Sequence, residues 1–106
     1  IVNVSSGLGS FALCDPRGGE FANYIGACYS TSKAALNMLT LSWGKILSRT
    51  KVKINAVSPG WCRTDMGGKG APRSVQEGAA TLLKFAFLPE DGPSGRFFGA
   101  DGELEW

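Results

Sequence analysis

Short apolar runs alternate with helical patterns along this chain, and this order restricts the possible folds more than any other feature. The apolar runs span residues 1–6, 52–57 and 96–99, and glycine or proline follows closely after them. Alternating strands and helices build a parallel sheet with helices packed against it. The sequence therefore predicts an α/β fold that forms part of a doubly wound parallel sheet. The run 1–6 is further predicted to be buried on both faces.

Two helices are predicted between these strands. The first covers residues 29–48, and the spacing of its apolar residues predicts a stripe that faces the sheet. The residues of that stripe are Leu36, Leu39, Thr40, Trp43, Ile46 and Leu47. The second helix is predicted to begin at a capping box formed by Ser74 and Glu77, and to end before Pro89.

A long loop is predicted from residue 7 to about residue 27. It is rich in glycine and contains Pro16, which are the residues of turns. Gly7-Leu8-Gly9 lies directly after the first strand, but it lacks the third glycine and the following helix of a dinucleotide-binding turn. This motif therefore predicts a flexible turn.

Charge and composition exclude several classes of function. Eleven basic and nine acidic residues give a net charge of +2 without a basic patch, so nucleic acid is not an expected partner. No apolar run approaches the roughly 18 residues that span a bilayer, so no membrane association is expected. Histidine is absent, which excludes imidazole zinc sites and Ser-His-Asp catalysis within this chain. Cys14, Cys28 and Cys62 cannot all pair and are not spaced as metal ligands, so we expect no metal and a reducing, cytoplasmic setting.

Tyr29 and Lys33 stand four residues apart in the first predicted helix. This spacing puts both side chains on one face, with the Lys33 cation beneath the Tyr29 ring. The cation stabilises the tyrosinate, so Tyr29 is able to act as a general acid or base near neutral pH. Ser6 ends an apolar strand, where its hydroxyl can bond a substrate oxygen as negative charge develops. Taken alone, the Tyr-x-x-x-Lys spacing also fits an ordinary surface turn of a helix.

The order of three segments gives the chain a resemblance to a known family. Asn3–Gly7 closes a strand, Tyr29–Lys33 opens a helix, and Ile54–Thr64 runs from a second strand into a loop. In this order they resemble the C-terminal half of the short-chain dehydrogenase/reductase family. The resemblance implies that residues 1–106 are the C-terminal portion of a single NAD(P)-binding Rossmann-type domain, with the N-terminal half missing.

Further motifs resemble the monomeric carbonyl reductases within that family. They are Pro59–Met66, Glu77–Ala79 and the terminal pair Glu105–Trp106. This resemblance favours NADP(H) over NAD(H) as cofactor, a small carbonyl compound as substrate and a monomeric protein. Members of that branch carry an insertion before the tyrosine, and Ser6 and Tyr29 are 23 positions apart here. We therefore expect Phe11–Asn23 to cover the helix and to rim the substrate pocket.

The resemblance also implies a role for each site residue. Tyr29 exchanges a proton with the substrate oxygen, Lys33 stabilises the tyrosinate and holds the nicotinamide ribose, and Ser6 orients the substrate. Ser5 points to the opposite side of an extended strand, and we expect its hydroxyl to be buried and bonded to backbone. The residues that the resemblance implies for cofactor binding are Tyr29 and Lys33 and the loop residues Pro59, Gly60, Cys62, Arg63 and Thr64.

Several loop residues keep a second interpretation. Gly60 is either a cofactor contact or a turn glycine, and Arg63 is either a phosphate ligand or a solvated charge. Trp61 either forms part of the wall of the substrate pocket or packs at the edge of the sheet. Cys62 is expected to pack and not to react.

The leading hypothesis is an NADP(H)-dependent carbonyl reductase-like oxidoreductase that transfers hydride between nicotinamide and a ketone or aldehyde. An NAD(P)-dependent alcohol dehydrogenase, working in the oxidative direction, uses the same residues. In a hypothesis of a different class, the chain is a truncated or degenerate product that acts as a non-catalytic binding module. Because residues 1–106 lack the pyrophosphate-binding glycines, we expect the chain alone to be a poor enzyme.

Overall fold

The computed structural model describes residues 1–106 and confirms the predicted alternation of strands and helices. The elements, in chain order, are β1 (Val2–Val4), a 3₁₀ turn (Gly7–Gly9), α1 (Ala27–Ile46), β2 (Asn55–Val57), α2 (Val75–Ala86) and β3 (Phe97–Phe98). The three strands are parallel and lie in the order β1-β2-β3. Each strand is shorter than the apolar run that predicted it. Neither helix is both long and apolar enough to cross a membrane.

The two helices pack on opposite faces of the sheet. The register of the strands places Asn3 on one side of the sheet and Val57 with Phe98 on the other. On the first side lies α1, where Asn3 Nδ2 donates a hydrogen bond of 2.8 Å to Thr40 Oγ1. On the second side lies α2, where the Phe85 ring stacks on Phe98 with centroids 4.4 Å apart. The sheet is therefore doubly wound, as predicted.

The apolar core lies on the side of the sheet that α2 covers. Val57, Phe85 and Phe98 form its buried centre. Val2, Leu82 and Leu88 pack against that centre from the edges. Burying one such side chain stabilises the fold by about 1.5–3 kcal/mol, so this small cluster is a main source of the stability of the sheet.

The start of α2 confirms the predicted capping box. The Glu77 amide donates to Ser74 Oγ (3.2 Å), and the Ser74 amide donates to Glu77 Oε2 (2.6 Å). These two bonds satisfy backbone donors that the first turn of a helix leaves free. The helix ends at Ala86, three residues before Pro89.

The predicted sheet-facing stripe of α1 is wrong for three of its six residues and correct for Thr40. Leu39, Trp43 and Ile46 are 48%, 44% and 65% exposed, whereas Thr40 and Asn37 are buried. The reason is that α1 contacts β1 through hydrogen bonds of Asn37 and Thr40, so the helix presents these polar residues to the strand. Where α1 meets β1, the contact is therefore made by polar side chains.

The prediction that residues 1–6 are buried on both faces is also wrong. Ile1 is 63% exposed and Val4 is 45% exposed. The reason is that β1 pairs only with β2 and stands at the edge of the sheet. The central strand β2 is buried along its whole length.

The Ser74 cap allows a direct test of how α2 begins. We expect Ser74→Ala to lower the free energy of unfolding by about 1 kcal/mol, because the Glu77 amide loses its acceptor. Urea unfolding followed by circular dichroism measures the change. Ser48→Ala, at an exposed serine after α1, is the matched control. Equal stability of the two variants would contradict the cap.

The charge of Glu77 gives this cap a pH dependence. The Ser74 backbone N–H, and then its hydroxyl, hold the pKa of Glu77 below its ordinary value of 4.5. The stabilisation is therefore complete above pH 4.5 and is lost as the pH falls through the lower pKa of the folded state. We expect Glu77→Gln to be less stable than the parent at neutral pH, and the difference to shrink in acid. Urea unfolding across this range measures it, and a constant difference would contradict the prediction.

Candidate functional site

The Gly7–Gly9 turn positions Ser6 at the carboxyl end of β1. Ser6 has an extended backbone, and its Oγ accepts a hydrogen bond from the Leu8 amide (3.2 Å). The Gly9 amide donates to the Ser6 carbonyl (2.9 Å) and closes the turn. The sequence predicted a flexible turn here, whereas the structure has a bonded 3₁₀ turn with both glycines buried.

Glycine is required at position 9 because the turn touches α1. A Cβ on Gly9 would lie 2.6 Å from the backbone carbon of Lys33, a distance that real side chains do not reach. The turn that follows Ser6 therefore lies directly on the helix that carries Lys33.

Ser5 and Asn37 join β1, the turn and α1 inside the protein. The buried Ser5 hydroxyl donates to Asn37 Oδ1 at 2.5 Å. Asn37 Nδ2 in turn donates to the Gly9 carbonyl at 3.2 Å. Ser5 is buried as expected, but its partner is a side chain and not the backbone. The sequence analysis missed Asn37, although a polar residue four positions after Lys33 lies on the same helical face.

Lys33 lies between Tyr29 and the end of β1. Its Nζ donates to the Val4 carbonyl (2.9 Å) and stands 5.6 Å from the centroid of the Tyr29 ring. This agrees with the position that the four-residue spacing predicts. Val4 is two residues before Ser6, so all three residues of the predicted catalytic set lie at one end of β1.

The carboxyl end of β2 lies beside the carboxyl end of β1. Val4 pairs with Val57, so Ser6 and Pro59 each stand two residues beyond this pair. In open parallel sheets, ligands bind outside the carboxyl ends of the strands. The predicted catalytic residues and the predicted cofactor loop therefore lie together at the carboxyl ends of the strands.

The cofactor loop turns sharply after Pro59. Gly60 has a φ of 79°, which favours glycine, and its amide donates to Ser58 Oγ. Cys62 packs its sulfur against α2, and its backbone N–H has no hydrogen-bond partner within the chain. Thr64 Oγ1 accepts from the Gly67 amide (3.0 Å), which leaves its hydroxyl hydrogen available.

Arg63 and Trp61 bind to their own loop. Arg63 Nη1 donates to the carbonyls of Ala71 (3.0 Å) and Pro72 (2.8 Å). Trp61 is exposed, and its indole N–H donates to the Gly67 carbonyl (2.8 Å). Trp61 is therefore not packed at the edge of the sheet. A cleft of about 470 Å³ opens beside this loop. Its lining residues are Arg63, Thr64, Asp65, Gly68 and Lys69.

A larger cleft of about 830 Å³ lies between the long loop and the first two turns of α1. Phe11 and Cys14 of the loop line it, together with Ser30 and Thr31 of α1. Ser6, Tyr29 and Lys33 do not line it. The long loop thus covers part of α1, as expected, but the cleft that it borders is not lined by the predicted catalytic residues.

Polar contacts hold the middle of the long loop. Asp15 and Arg17 form an ion pair of 2.6 Å, and the Arg17 guanidinium lowers the pKa of the Asp15 carboxyl. The Cys14 thiol lies near the Gly7 and Leu8 carbonyls, and its partial burial raises its pKa. A thiol in this setting stays protonated and packs against the Gly7–Gly9 turn.

The sequence and the fold together define the class of this chain. The sequence model described as "short chain dehydrogenase" matches residues 1–74. The chain belongs to the short-chain dehydrogenase family and has its Rossmann-type α/β fold.

The individual relatives that it matches include carbonyl reductases. It is 38% identical over 84 residues to carbonyl reductase [NADPH] 1 of Sus scrofa, an alignment that covers 74% of this chain and 29% of the relative. The carbonyl reductase Sniffer of D. melanogaster superposes with a TM-score of 0.76 at 35% identity, covering 100% of this chain and 40% of that one. The NADPH-bound carbonyl reductase from chicken fatty liver gives a TM-score of 0.76 at 34% identity, covering 100% of this chain and 39% of that one. The chain thus spans well under half the length of these relatives.

The coupling between Ser5 and Asn37 can be measured. We expect Asn37→Ala to lower the free energy of unfolding by about 1–3 kcal/mol, because two buried polar groups lose their partner. Ser5→Ala combined with Asn37→Ala should cost less than the sum of the single changes, by about 0.5–3 kcal/mol. Urea unfolding of the parent, the two single variants and the double variant measures this coupling. The matched control combines Ser5→Ala with Thr81→Val, on the α2 side, and here the two losses in free energy of unfolding should add. If the losses also add for Ser5→Ala with Asn37→Ala, the network is contradicted.

Proposed function

We propose that residues 1–106 are the C-terminal portion of a single NAD(P)-binding Rossmann-type domain and carry the catalytic residues of an NADP(H)-dependent carbonyl reductase. The observation that carries the proposal is the position of Lys33. Its cation lies 5.6 Å from the Tyr29 ring and 2.9 Å from the Val4 carbonyl, beside the strand end that bears Ser6. An ordinary surface turn of a helix would not direct its lysine onto the end of a strand.

Tyr29 and Ser6 act on the oxygen of the carbonyl substrate. The bound cofactor supplies the hydride for the carbonyl carbon. Tyr29 gives its phenolic proton to the oxygen, so that a ketone or aldehyde becomes an alcohol. The Ser6 oxygen accepts from the Leu8 amide, which leaves the hydroxyl hydrogen free to bond the substrate oxygen. In the reverse direction the same residues serve an alcohol dehydrogenase.

Lys33 serves both the cofactor and Tyr29 in this reaction. An ammonium group has three donors, and the Val4 carbonyl takes one of them. The others remain for the ribose of the cofactor. The positive charge also stabilises the tyrosinate that remains after proton transfer.

The donors of the loop after β2 fit the cofactor. The free N–H of Cys62 and the hydroxyl hydrogen of Thr64 suit the nicotinamide carboxamide and a phosphate. Arg63, which keeps guanidinium donors besides Nη1, and Lys69 add positive charge to the cleft of about 470 Å³. Pro59 and Gly60 form the turn that the nicotinamide would pass, and the exposed Trp61 is available as a wall of the substrate pocket.

The names of the relatives favour NADPH, since one is named as a carbonyl reductase of NADPH and another is described with NADPH bound. A monomeric state and a reducing, cytoplasmic setting remain part of the proposal. The latter is supported by three cysteines that are all unpaired.

The test is the reduction of a small ketone or aldehyde with NADPH. The 106-residue chain is assayed alone and extended upstream by the corresponding half of a carbonyl reductase relative. We expect the extended protein to bind NADPH, seen as a change of its fluorescence, and to reduce the carbonyl. Tyr29→Phe should lower kcat by about 100- to 10,000-fold, because the proton donor is lost, and weaken NADPH binding far less.

The matched control is Tyr24→Phe, which removes a hydroxyl from the other tyrosine of the chain. It should leave kcat unchanged. If neither the chain nor its extended form binds NADPH, the reductase proposal fails, and a non-catalytic binding module becomes the better hypothesis.

A further inference from the structure

Ser10 is a buried junction at the end of the Gly7–Gly9 turn. It is 1% exposed, and each of its polar atoms is bonded. Its amide donates to the Gly7 carbonyl (3.0 Å), and its carbonyl accepts from the Cys14 amide (3.1 Å). Its hydroxyl accepts from the Leu13 amide (3.0 Å) and donates to the Glu105 carbonyl (2.8 Å). The turn that begins at Ser6 is therefore fixed, at its other end, to a residue far along the chain.

The segment 103–106 is itself anchored on the sheet. The Trp106 ring stacks on Phe97 with centroids 5.5 Å apart, and the Leu104 amide donates to the Phe97 carbonyl (2.9 Å). The Trp106 carbonyl accepts from the Ala12 amide (3.1 Å), which adds a second bond to the long loop. Phe97 is fully buried, so the ring on which Trp106 stacks is itself packed within the protein.

The segment and α1 hold the turn from two directions. Ala56 pairs with both Asn3 and Phe97, so the Phe97 ring lies on the face of the sheet that α1 covers. On that face Asn37 bonds the Gly9 carbonyl, and the segment 103–106 bonds the adjacent Ser10. The Ser6 hydroxyl depends on the same turn, because it accepts from the Leu8 amide.

We propose that Trp106 is a positioning residue for Ser6: its stack on Phe97 holds the Glu105 carbonyl against Ser10, and thereby fixes the turn that orients the Ser6 hydroxyl. This inference rests on the proposed reductase function. Small displacements of a substrate-orienting group lower the rate of reaction much more than they weaken binding, with losses of about 100-fold for 1 Å. Trp106 therefore acts on kcat through Ser6 and makes no contact with the reacting atoms.

The experiment compares Trp106→Ala with Trp106→Phe in the chain extended upstream, using NADPH and a small ketone. We expect Trp106→Ala to lower kcat by about 10- to 100-fold, with the KM for NADPH unchanged. Trp106→Phe retains a ring that stacks on Phe97 and should restore most of kcat. In a Ser6→Ala background, Trp106→Ala should cause no further loss, because its effect passes through Ser6. Amide hydrogen exchange at Ser10 and Leu13 should rise in Trp106→Ala.

Phe85→Leu is the matched control, since it disrupts the aromatic stack on the opposite face, where Phe85 meets Phe98 at 4.4 Å. It should leave kcat unchanged under conditions in which the protein is folded. Equal losses of kcat in Phe85→Leu and Trp106→Ala, or unchanged kcat in Trp106→Ala, would overturn the inference and leave the reductase function standing. An inactive parent protein would instead overturn the reductase function, and the kinetic inference would fail with it. The hydrogen-exchange result would then report only on how the segment 103–106 holds the turn.

Discussion

The arrangement of this protein depends on a row of polar bonds between β1 and α1. Lys33, Asn37 and Thr40 lie on one face of the helix and bond the Val4 carbonyl, the Ser5 hydroxyl and the Asn3 amide. A buried polar group without a partner is costly, so a helix that carries such groups can lie against the strand in one register only. Sliding the helix by one turn would break all three bonds together. This register sets the position of Tyr29, and through Asn37 it also sets the position of the turn after Ser6.

The two faces of the sheet consequently serve different purposes. On the α2 side, apolar rings and branched side chains pack together, which gives stability with little directional preference. On the α1 side, where Trp106 stacks on Phe97, hydrogen bonds between α1 and β1 add contacts of defined length and direction. The residues that the proposed reaction needs belong to the second side and to the strand ends above it. A site that must orient a hydroxyl and a phenol is better supported by bonds of fixed geometry than by apolar contact alone.

The local features of the chain were predictable from the sequence, because each depends on neighbours along it. The capping box of Ser74 and Glu77 and the shared face of Tyr29 and Lys33 are of this kind. The orientation of α1 was not predictable. Leu39, Trp43 and Ile46 form an amphipathic pattern, and such a pattern identifies an apolar face without saying what lies against it. The Ser10 junction was missed as well, since its hydroxyl bonds a carbonyl 95 residues away. The bonds within the Gly7–Gly9 turn are local, but the two glycines alone indicated only a flexible turn.

The separation between Ser10 and Glu105 has a consequence for biosynthesis. These residues are joined by a hydrogen bond across 95 positions of sequence. Contacts of such long range form late, because the entropy of closing the intervening chain must be overcome first. On the ribosome the N-terminal part of the chain emerges first and is able to collapse early. The Ser10 hydroxyl nevertheless cannot bond the Glu105 carbonyl until residue 105 has left the exit tunnel. All three strands, the last of which ends at Phe98, thus emerge before the bond that completes the support of the turn beside Ser6 is able to form.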